Sequence, residues 1–291
     1  MVLAATRTEL ELLLADDVPF GDLTTDALGI GDFAGEMAFF ARDPMVLAEA
    51  ESAAAILELA GCRVSLATRS GTTLVPGDAI LTAAAPASAL HRGWKVAQTL
   101  IEIWSGVATA ARAIVDAATA VSPHVTVACT RKNVPGAKSY AVRAIRAGGA
   151  AMHRLGLSET VLVFPEHRVF LGAAPLHEIT ERLRRAAPEK KLVIEVTSVG
   201  DAVAAAAAGF DVVQTEKFTP EQVANLRDQL RSRETRPLIA AAGGINAGNA
   251  AAYALAGADI LVTSAPYLAR PCDVQVKLTP IGADNRAFKT A

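Results

Sequence analysis

The sequence predicts an α/β protein with a small N-terminal mixed α/β sheet domain and a C-terminal α/β barrel. Three observations predict this class. Short extended runs broken by glycine and proline fill the first part of the chain, seven apolar runs alternate with helical segments after residue 125, and polar side chains follow the ends of those later runs. A chain of 291 residues with 52% hydrophobic content can bury the cores of two such units.

The elements of the first domain are predicted from their periodicity and turn residues. The runs EMAFFA, PMVLAEA, RVSLAT and AILTAAA are predicted strands, and SAAAILELA is a predicted helix among them. The opening segment, MVLAATRTELELLLADD, has the pattern of an amphipathic helix and lacks the basic start of a signal peptide. A long Ala-rich helix, from about His91 to Ala120, is predicted to join the two domains.

The later runs are VTVACT, AAMHR, TVLVF, KLVIEVT, DVVQTE, PLIAAAG and ILVTSA, and their alternation with helices implies parallel strands with right-handed crossovers. Either a barrel, complete or incomplete, or a doubly wound sheet has this pattern. The barrel is favoured because polar residues end several different strands, and a barrel collects its site from several strands at one face. These strand-end residues are Arg131, His153, Glu195, Glu216 and Ser264.

The predicted boundaries place residues 1–110 in the first domain and 111–270 in the barrel. The tail after Pro271, CDVQVKLTPI, alternates apolar and polar positions. Residues 271–291 are therefore predicted to return to the first domain as an edge strand.

Charge and composition exclude several classes of function. A net charge of −2 provides no general attraction to nucleic acid or to an anionic membrane, and no uncharged apolar run reaches about 18 residues. The three cysteines lack the spacing of a zinc site or a disulfide framework. We expect a cytoplasmic protein without a membrane span or a nucleic-acid partner.

Positive charge is concentrated in residues 131–168, which hold seven basic and two acidic side chains. A solvated helix face accounts for Arg143 and Arg146. It does not account for the four basic residues at the ends of two adjacent strands, which converge on one edge and predict an anionic ligand with more than one acidic group. These four are Arg131, Lys132, His153 and Arg154.

Two carboxylates end the buried strands LVIEV and VVQTE. Glu195 and Glu216 each follow apolar residues, where an ionised carboxylate is costly unless it meets a cation or hydrogen-bond donors. Mg²⁺ held by these acids and by substrate phosphates is one interpretation. Structural pairing with Arg131, Arg154 or Lys217 is the other.

The segment GGINAGNAAAYALAGAD, residues 243–259, has the composition of a phosphate-binding turn. Gly243 and Gly244 follow a buried strand, and Asn246 is positioned to cap a following helix, whose N-terminus attracts anions. Ser264, after the next strand, supplies a hydroxyl nearby if these are the last two loops of a barrel. A simple tight turn is the alternative for the two glycines.

Six motifs resemble, in order and spacing, the quinolinate phosphoribosyltransferase family: DDVPFGDLTT, SGVAT, TRKNVPG, MHRLGLSE, IEV and GGI. The resemblance implies an N-terminal α/β domain and an incomplete, seven-stranded α/β barrel of the type II phosphoribosyltransferase kind. It further implies a homodimer or larger oligomer with shared sites. It also implies Mg²⁺-dependent transfer from phosphoribosyl pyrophosphate to quinolinate, which gives nicotinate mononucleotide, CO₂ and pyrophosphate.

Carried over by position, the resemblance makes Arg131, Lys132, His153 and Arg154 the dicarboxylate-binding residues. Glu195 matches a site carboxylate, and the two glycines match the loop that holds the ribose phosphate. Together with the two strand-end carboxylates described above, this makes Lys132, Glu195 and Glu216 the candidate catalytic residues, and the two acids the candidate metal ligands. Gly243, Gly244 and Ser264 are the candidate phosphate-binding residues.

Departures from the family occur at four further candidate substrate-binding positions. Lys95 and Lys138 stand where the family has arginines, the first of which reaches into the partner's site. Phe164 stands where the family has a lysine, and Lys217 follows Glu216 where the family has Asp-Asn. Exchanging a cation for an aromatic ring changes which acceptor fits. Phe164 could stack on the acceptor ring or serve only as a core residue.

Three strings, TRKNVPGAK, FPEHR and AAAGGINAGNA, resemble the ModD branch of the family, which is encoded with molybdate-transport genes and described as pyrophosphorylases. The leading hypothesis is a phosphoribosyltransferase for an acidic nitrogen heterocycle. The alternatives are genuine quinolinate activity with decarboxylation, a non-catalytic anion- or cofactor-binding protein of the molybdenum pathway, and a generic phosphate-binding barrel enzyme.

Overall fold

The computed structural model describes residues 4–232 and 236–282. Within them the helices are α1 (Arg7–Asp17), α2 (Leu23–Leu28), α3 (Ala50–Leu59), α4 (Ala87–Thr119), α5 (Lys138–Ala147), α6 (Pro165–Val169), α7 (Leu176–Ala186), α8 (Val199–Ala207), α9 (Pro220–Leu230) and α10 (Ala250–Ala256). The strands are β1 (Ala34–Ala41), β2 (Met45–Val46), β3 (Arg63–Leu66), β4 (Thr73–Leu74), β5 (Ala79–Pro86), β6 (Thr126–Cys129), β7 (Ala151–Met152), β8 (Val161–Val163), β9 (Leu192–Val196), β10 (Val212–Glu216), β11 (Leu238–Ala242), β12 (Ile260–Thr263) and β13 (Val274–Pro280).

The chain divides into two compact units. The first contains residues 1–109, 139–148 and 269–291, and the second contains residues 110–138 and 149–268. Helix α4 contributes residues to both units, and α5 belongs to the first unit except for Lys138. None of the described helices is long and apolar enough to cross a membrane.

The first unit has a four-stranded antiparallel sheet in the order β13-β1-β5-β3, and β2 and β4 form a separate pair. The predicted return of the tail is confirmed, since β13 pairs with β1 from Val274 opposite Ala41 to Pro280 opposite Gly35. The last nine residues of the predicted return, 283–291, lie outside the described residues. Alternation along β1 buries Met37 and Phe39, as period-two patterning requires.

Helices α1 and α5 contact each other within the first unit. A capping box between Thr6 and Glu9 starts α1, because the hydroxyl of Thr6 accepts from the Glu9 N–H and the Glu9 carboxylate accepts from the Thr6 N–H. The second Glu9 oxygen accepts from the Ser139 hydroxyl of α5 at 2.5 Å. The ring of Tyr140 stacks on Trp104 of α4 at 5.9 Å. These contacts attach α5 to the first unit.

The second unit is the predicted barrel. Its seven parallel strands have the order β7-β6-β12-β11-β10-β9-β8, with β7 and β8 at the two edges and not paired to each other. The barrel is therefore incomplete, in agreement with the prediction. The predicted alternation of strands and helices has one exception, because no helix lies between β7 and β8. These two strands occupy opposite edges of the sheet, so no helical crossover packs between them.

Side-chain alternation along the parallel strands fills the barrel interior. Strands buried on both faces are continuously apolar, as these sequences are. The interior core is formed by Leu162, Val193, Val212, Ala240, Ala242 and Val262, with Phe164 packed against it. Residues that continue the same inward-facing positions toward the carboxyl ends of the strands line the candidate site.

Candidate active site

A cleft of about 520 Å³ opens at the carboxyl ends of the barrel strands. It is lined from β6, β7, β8, β9, β10, β11 and β12 or from the loops that follow them, which is the arrangement expected of a barrel site. Most of the residues predicted from the sequence meet there. They are Arg131, Lys132, His153, Arg154, Phe164, Glu195, Glu216, Gly243, Gly244 and Ser264.

Three predicted residues do not line this cleft. Lys95 lies on α4 in the first unit, where its ammonium group contacts Gln98 at 3.2 Å and the Trp94 ring at 4.3 Å. Lys138 begins α5 and is exposed. Lys217 is exposed at the end of β10, with a left-handed backbone at φ 57°. A role for these lysines in binding substrate stays a prediction.

Four basic residues form one edge of the cleft, which we call the basic rim: Arg131, Lys132, His153 and Arg154. Arg154 is only 8% exposed, and burial followed by the charge of Arg131 lowers its pKa. Its guanidinium carbon lies 5.5 Å from the centre of the Phe164 ring. Within residues 4–232 and 236–282, the three Arg and Lys side chains of the rim form no salt bridge. The rim therefore presents cations that lack anionic partners.

His153 is half-buried beside these cations. Burial, and then the charge of Arg154, lowers the pKa of His153 below its ordinary value of 6.5. The imidazole of the ligand-free protein is therefore mainly in its neutral form at pH 7. An anionic ligand would favour its charged form.

The cleft floor combines an aromatic ring, a carboxylate and an amide, and we call Phe164, Glu195 and Gln214 the floor cluster. Glu195 pairs in register with Gln214, and the Gln214 Nε2 donates to Glu195 Oε2 at 2.6 Å. Phe164 directly follows β8, whose Val163 pairs with Ile194. The adjacent strand positions thus place the three residues side by side.

The pKa of Glu195 is raised. Burial is the main cause, and the charges of Glu216 and Glu166 add to it, while the hydrogen bond from Gln214 and the charge of Lys132 act in the opposite direction. Two carboxylates that repel each other in a half-buried cleft favour a cation between them or an adjacent hydrogen-bond donor.

Glu195 and Glu216 were predicted to bind Mg²⁺. No group of three or more His, Cys, Asp or Glu side chains that could hold a metal occurs in the part of the chain that the structure describes. Mg²⁺ commonly binds through one or two carboxylates together with substrate phosphates. The residues present fit an ion that arrives with a phosphorylated substrate, and the mutual repulsion of the acids supports that fit.

The Gly-Gly turn lies against the end of β10. Gly243 and Gly244 have φ values of 88° and 83°, which favour glycine. A Cβ atom at Gly243 would lie 2.7 Å from Lys217 Cγ and 2.9 Å from the Lys217 backbone nitrogen, whereas one at Gly244 would meet nothing within 4 Å. Only glycine allows this close approach at position 243.

The predicted cap at Asn246 is wrong. Helix α10 begins at Ala250, and the side-chain oxygen of Asn246 accepts from the Gly248 N–H at 2.9 Å within the preceding loop. The amide groups of Asn246 and Asn249 both donate to the Gly244 carbonyl, at 3.1 Å and 3.0 Å. An asparagine that closes a local turn competes with helix capping, which explains the difference.

Several cleft residues were not identified from the sequence, namely Thr130, Gln214, Thr263 and Leu268. Thr130 holds the start of the TRK segment, because its hydroxyl accepts from the Lys132 N–H at 3.2 Å and its carbonyl accepts from the Tyr267 hydroxyl at 2.8 Å. Gln214 could have been identified as a site residue from the sequence. It is a polar residue within an apolar strand, two positions before Glu216 and therefore on the same face.

Two family models match this chain. Quinolinate phosphoribosyl transferase, N-terminal domain, matches residues 22–105, and the C-terminal domain of the same family matches residues 107–277. The chain belongs to the quinolinate phosphoribosyltransferase family. The expected fold and the predicted family are thus confirmed, and the family's members are transferases of the pyrophosphorylase kind.

Relatives of this quinolinate phosphoribosyltransferase family member include the ModD protein of Rhodobacter capsulatus. It is 51% identical over 84% of this chain and 94% of its own length, which supports the ModD branch. The human nicotinate-nucleotide pyrophosphorylase (carboxylating) is 34% identical over 81% of this chain and 78% of its own. The structure of NadC from Streptococcus pyogenes has a TM-score of 0.87 at 24% identity, covering 96% of this chain and 99% of that one, and shows the same fold.

Proposed function

We propose that this protein transfers ribose 5-phosphate from phosphoribosyl pyrophosphate to a ring nitrogen of an acidic heterocycle. The observation that carries the proposal is the composition of one cleft, which is lined by a basic rim without anionic partners among the described residues, two carboxylates, a Gly-Gly turn and a half-buried phenylalanine. We also propose a role connected with molybdenum transport, because the TRKNVPGAK, FPEHR and AAAGGINAGNA strings resemble the ModD branch.

In the proposed reaction the acceptor nitrogen forms a bond to C1 of the ribose, and the bond from C1 to the pyrophosphate oxygen breaks. The electron pair leaves with pyrophosphate, so the ribose acquires oxocarbenium character in the transition state. Arg131, Lys132 and Arg154 bind anionic groups of the acceptor or pyrophosphate, and Gly243 with Ser264 accommodates the 5-phosphate. Cations fixed before the reaction stabilise the developing negative charge without reorganisation.

Glu195 and Glu216 are the residues that would hold Mg²⁺, which supplies further neutralisation of the pyrophosphate when bound. In its absence the same carboxylates can accept hydrogen bonds from the ribose hydroxyls. Removing the ion with a chelator is therefore expected to abolish pyrophosphate release, and added Mg²⁺ should restore it.

The proposal is tested by measuring pyrophosphate release from phosphoribosyl pyrophosphate and Mg²⁺ with quinolinate, nicotinate and a panel of acidic heterocycles. Release that depends on one acceptor is the expected result. Binding of phosphoribosyl pyrophosphate without release by any acceptor would instead favour a non-catalytic anion-binding protein.

Replacing Phe164 by lysine is expected to raise activity on quinolinate about tenfold or more. A lysine at the floor cluster supplies a charge-assisted hydrogen bond to a second carboxylate, worth about 1.5–3 kcal/mol. The measurement is kcat/KM for quinolinate in the wild-type protein and in Phe164→Lys.

Phe164→Leu is the matched control, since it removes the ring without adding charge. Thermal unfolding of both variants establishes that they fold, because Phe164 also packs on the barrel core. A folded Phe164→Lys protein with no gain on quinolinate would remove the support for this position as a determinant of acceptor choice.

Binding of an anionic ligand at the basic rim is expected to take up a proton at His153. In the free protein, burial and the charge of Arg154 lower the pKa of His153. A bound anion raises that pKa, so the complex holds more protons than the free protein. Affinity should therefore rise as the pH falls through the pKa of the complex, and each unit of pKa change gives about a tenfold effect.

Calorimetry at pH 7 in two buffers with different ionisation heats measures this proton uptake directly. Bis-Tris and Tris are suitable because they differ in ionisation heat and neither carries an anionic group that would compete for the rim. His153→Gln should bind without the uptake. Equal apparent binding enthalpies in both buffers for the wild-type protein would contradict the prediction.

We also propose a homodimer, on the basis of exposed apolar side chains in the first unit. Phe20 is 99% exposed and Leu23 is 84% exposed, which is unfavourable for an isolated chain. In such a dimer, Lys95 of each subunit would act at the active site of the other subunit, as the family resemblance implies. Light scattering of the purified protein tests the assembly, and a monomer at all concentrations would exclude it.

A further inference from the structure

The side chain of Gln214 has one hydrogen-bonding atom without a partner. Gln214 is 5% exposed and lies in the middle of β10, between the apolar run Val212–Val213 and the buried Thr215. Its Oε1 has no hydrogen-bond partner among residues 4–232 and 236–282, although the residue lines the cleft. Leaving a buried amide oxygen unpaired is costly, so such atoms are normally satisfied.

The orientation of this amide follows from its neighbour. Glu195 Oε2 accepts a hydrogen bond at 2.6 Å, and a carboxylate cannot donate one in return. With Glu195 ionised, the nitrogen of Gln214 faces it, which leaves the oxygen as the free group. The floor cluster consequently offers acceptor atoms, in contrast to the basic rim, which offers donors.

Phe164 provides a surface on which a planar ligand would lie between the donors of the basic rim and the acceptors of the floor cluster. The ring belongs to the floor cluster, and the guanidinium of Arg154 lies 5.5 Å from its centre. A heterocycle placed against Phe164 would direct its acidic group toward Arg154 and the rest of the basic rim. The opposite edge of the heterocycle would then face Gln214 and Glu195.

We propose that the acceptor is a heterocyclic acid with a hydrogen-bond donor, either a ring N–H or an amino group, on the edge opposite its acidic group, and that Gln214 Oε1 binds this donor. The inference rests on the proposed function and names the class of its acceptor. A second carboxylate on that opposite edge would set acceptor atoms against those of Gln214 and Glu195, and quinolinate, whose two carboxylates are on adjacent ring carbons, offers no donor there. Gln214 is thus a specificity-determining residue.

The experiment measures dissociation constants by calorimetry for matched acids with and without a donor. Nicotinate and quinolinate lack a donor on the ring, 6-aminonicotinate carries an amino group opposite its carboxylate, and orotate carries a ring N–H there. In 2-aminonicotinate the amino group is next to the carboxylate, which makes it the positional control. At least one of 6-aminonicotinate and orotate is expected to bind about tenfold or more tightly than nicotinate, quinolinate and 2-aminonicotinate. The absence of any such preference in the wild-type protein overturns the inference.

Gln214→Met tests the assignment to this residue, because methionine has nearly the same size and no amide. The preference for the donor-bearing acid should fall to less than about twofold, while nicotinate affinity changes little. A preference retained in folded Gln214→Met protein, or a change confined to the affinity for phosphoribosyl pyrophosphate, overturns the role of Gln214. The wild-type selectivity needs no variant, so the inference stays testable if Gln214→Met does not fold.

Pyrophosphate release separates this inference from the proposed function. Transfer to nicotinate or quinolinate as efficient as transfer to the donor-bearing acids would support the function and overturn the acceptor class. Selective binding of a donor-bearing acid without pyrophosphate release would support the acceptor class and overturn the transferase.

Discussion

Gly243→Ala is expected to lower kcat/KM about 100-fold or more and to reduce the free energy of unfolding by about 2–5 kcal/mol. A positive φ costs an L-residue about 1–2 kcal/mol, and an overpacked contact costs a further 1–3 kcal/mol. The added methyl group would meet the Lys217 backbone nitrogen at 2.9 Å and Glu216 Oε1 at 3.0 Å, so the end of β10 must move. A displacement of about 1 Å in a site can reduce the rate about 100-fold.

Gly244→Ala is the matched control, because the next residue has a similar φ of 83° and open space around its Cβ position. It should lose only the backbone contribution, about 1–2 kcal/mol. Chemical denaturation and steady-state kinetics on both variants give the comparison. Equal effects of the two substitutions would show that the contact with Lys217 and Glu216 is unimportant.

Arg143→Met is expected to destabilise the first unit by about 3–5 kcal/mol, because it leaves a buried carboxylate without its partner. The assignment of Arg143 to a solvated helix face is wrong, because its Nε donates to Glu49 Oε1 at 2.8 Å and the Glu49 side chain is only 1% exposed. Glu49 also accepts from the Ser52 hydroxyl at 2.5 Å. Methionine retains most of the packing of Arg143 but supplies no charge.

The pH dependence of this effect follows from the pKa of Glu49. Burial raises that pKa, and the hydrogen bond and charge of Arg143 lower it. Without Arg143 the pKa rises further, so the protonated form is favoured in the folded state. A raised folded-state pKa contributes stability below the ordinary value of 4.5 and loses it as the pH rises. The variant should therefore be least stable, relative to wild type, at neutral and higher pH.

The double variant Glu49→Gln with Arg143→Met is the control. The glutamine can still accept from Ser52 and carries no charge, so most of the lost stability should return. Denaturant unfolding at pH 7 and near pH 4.5 measures all three proteins. A single Arg143→Met variant as stable as wild type at pH 7 would show that the pair contributes little.

The positions of strands were largely predictable, because a strand that is buried on both faces is a continuous apolar run in the sequence. LVIEV and VVQTE form β9 and β10 as apolar runs of the expected length. The predicted strand PMVLAEA contains only the two-residue β2, since helix α3 begins at Ala50. Local apolar content does not distinguish a short strand from a helix start.

The polar residues that follow these apolar runs also located most of the candidate site. Arg131, His153 and Glu195 are polar residues at strand ends, and parallel strands bring their carboxyl ends to one face. Gln214 was missed because a single polar residue within a strand has no partner visible in the sequence. Its partner is Glu195, 19 positions away, which only the register of β9 and β10 brings to it.

The sequence by itself determined the two-part organisation, the parallel barrel strands and the set of charges at their ends. These features depend on the order of apolar and polar residues along the chain, which reflects where each residue is buried. Tertiary structure decided what depends on contacts between distant segments. The edge positions of β7 and β8, the attachment of α5 to the first unit, and the unpaired oxygen of Gln214 all belong to this second group. Each arises from strand order or packing, which local sequence patterns do not specify.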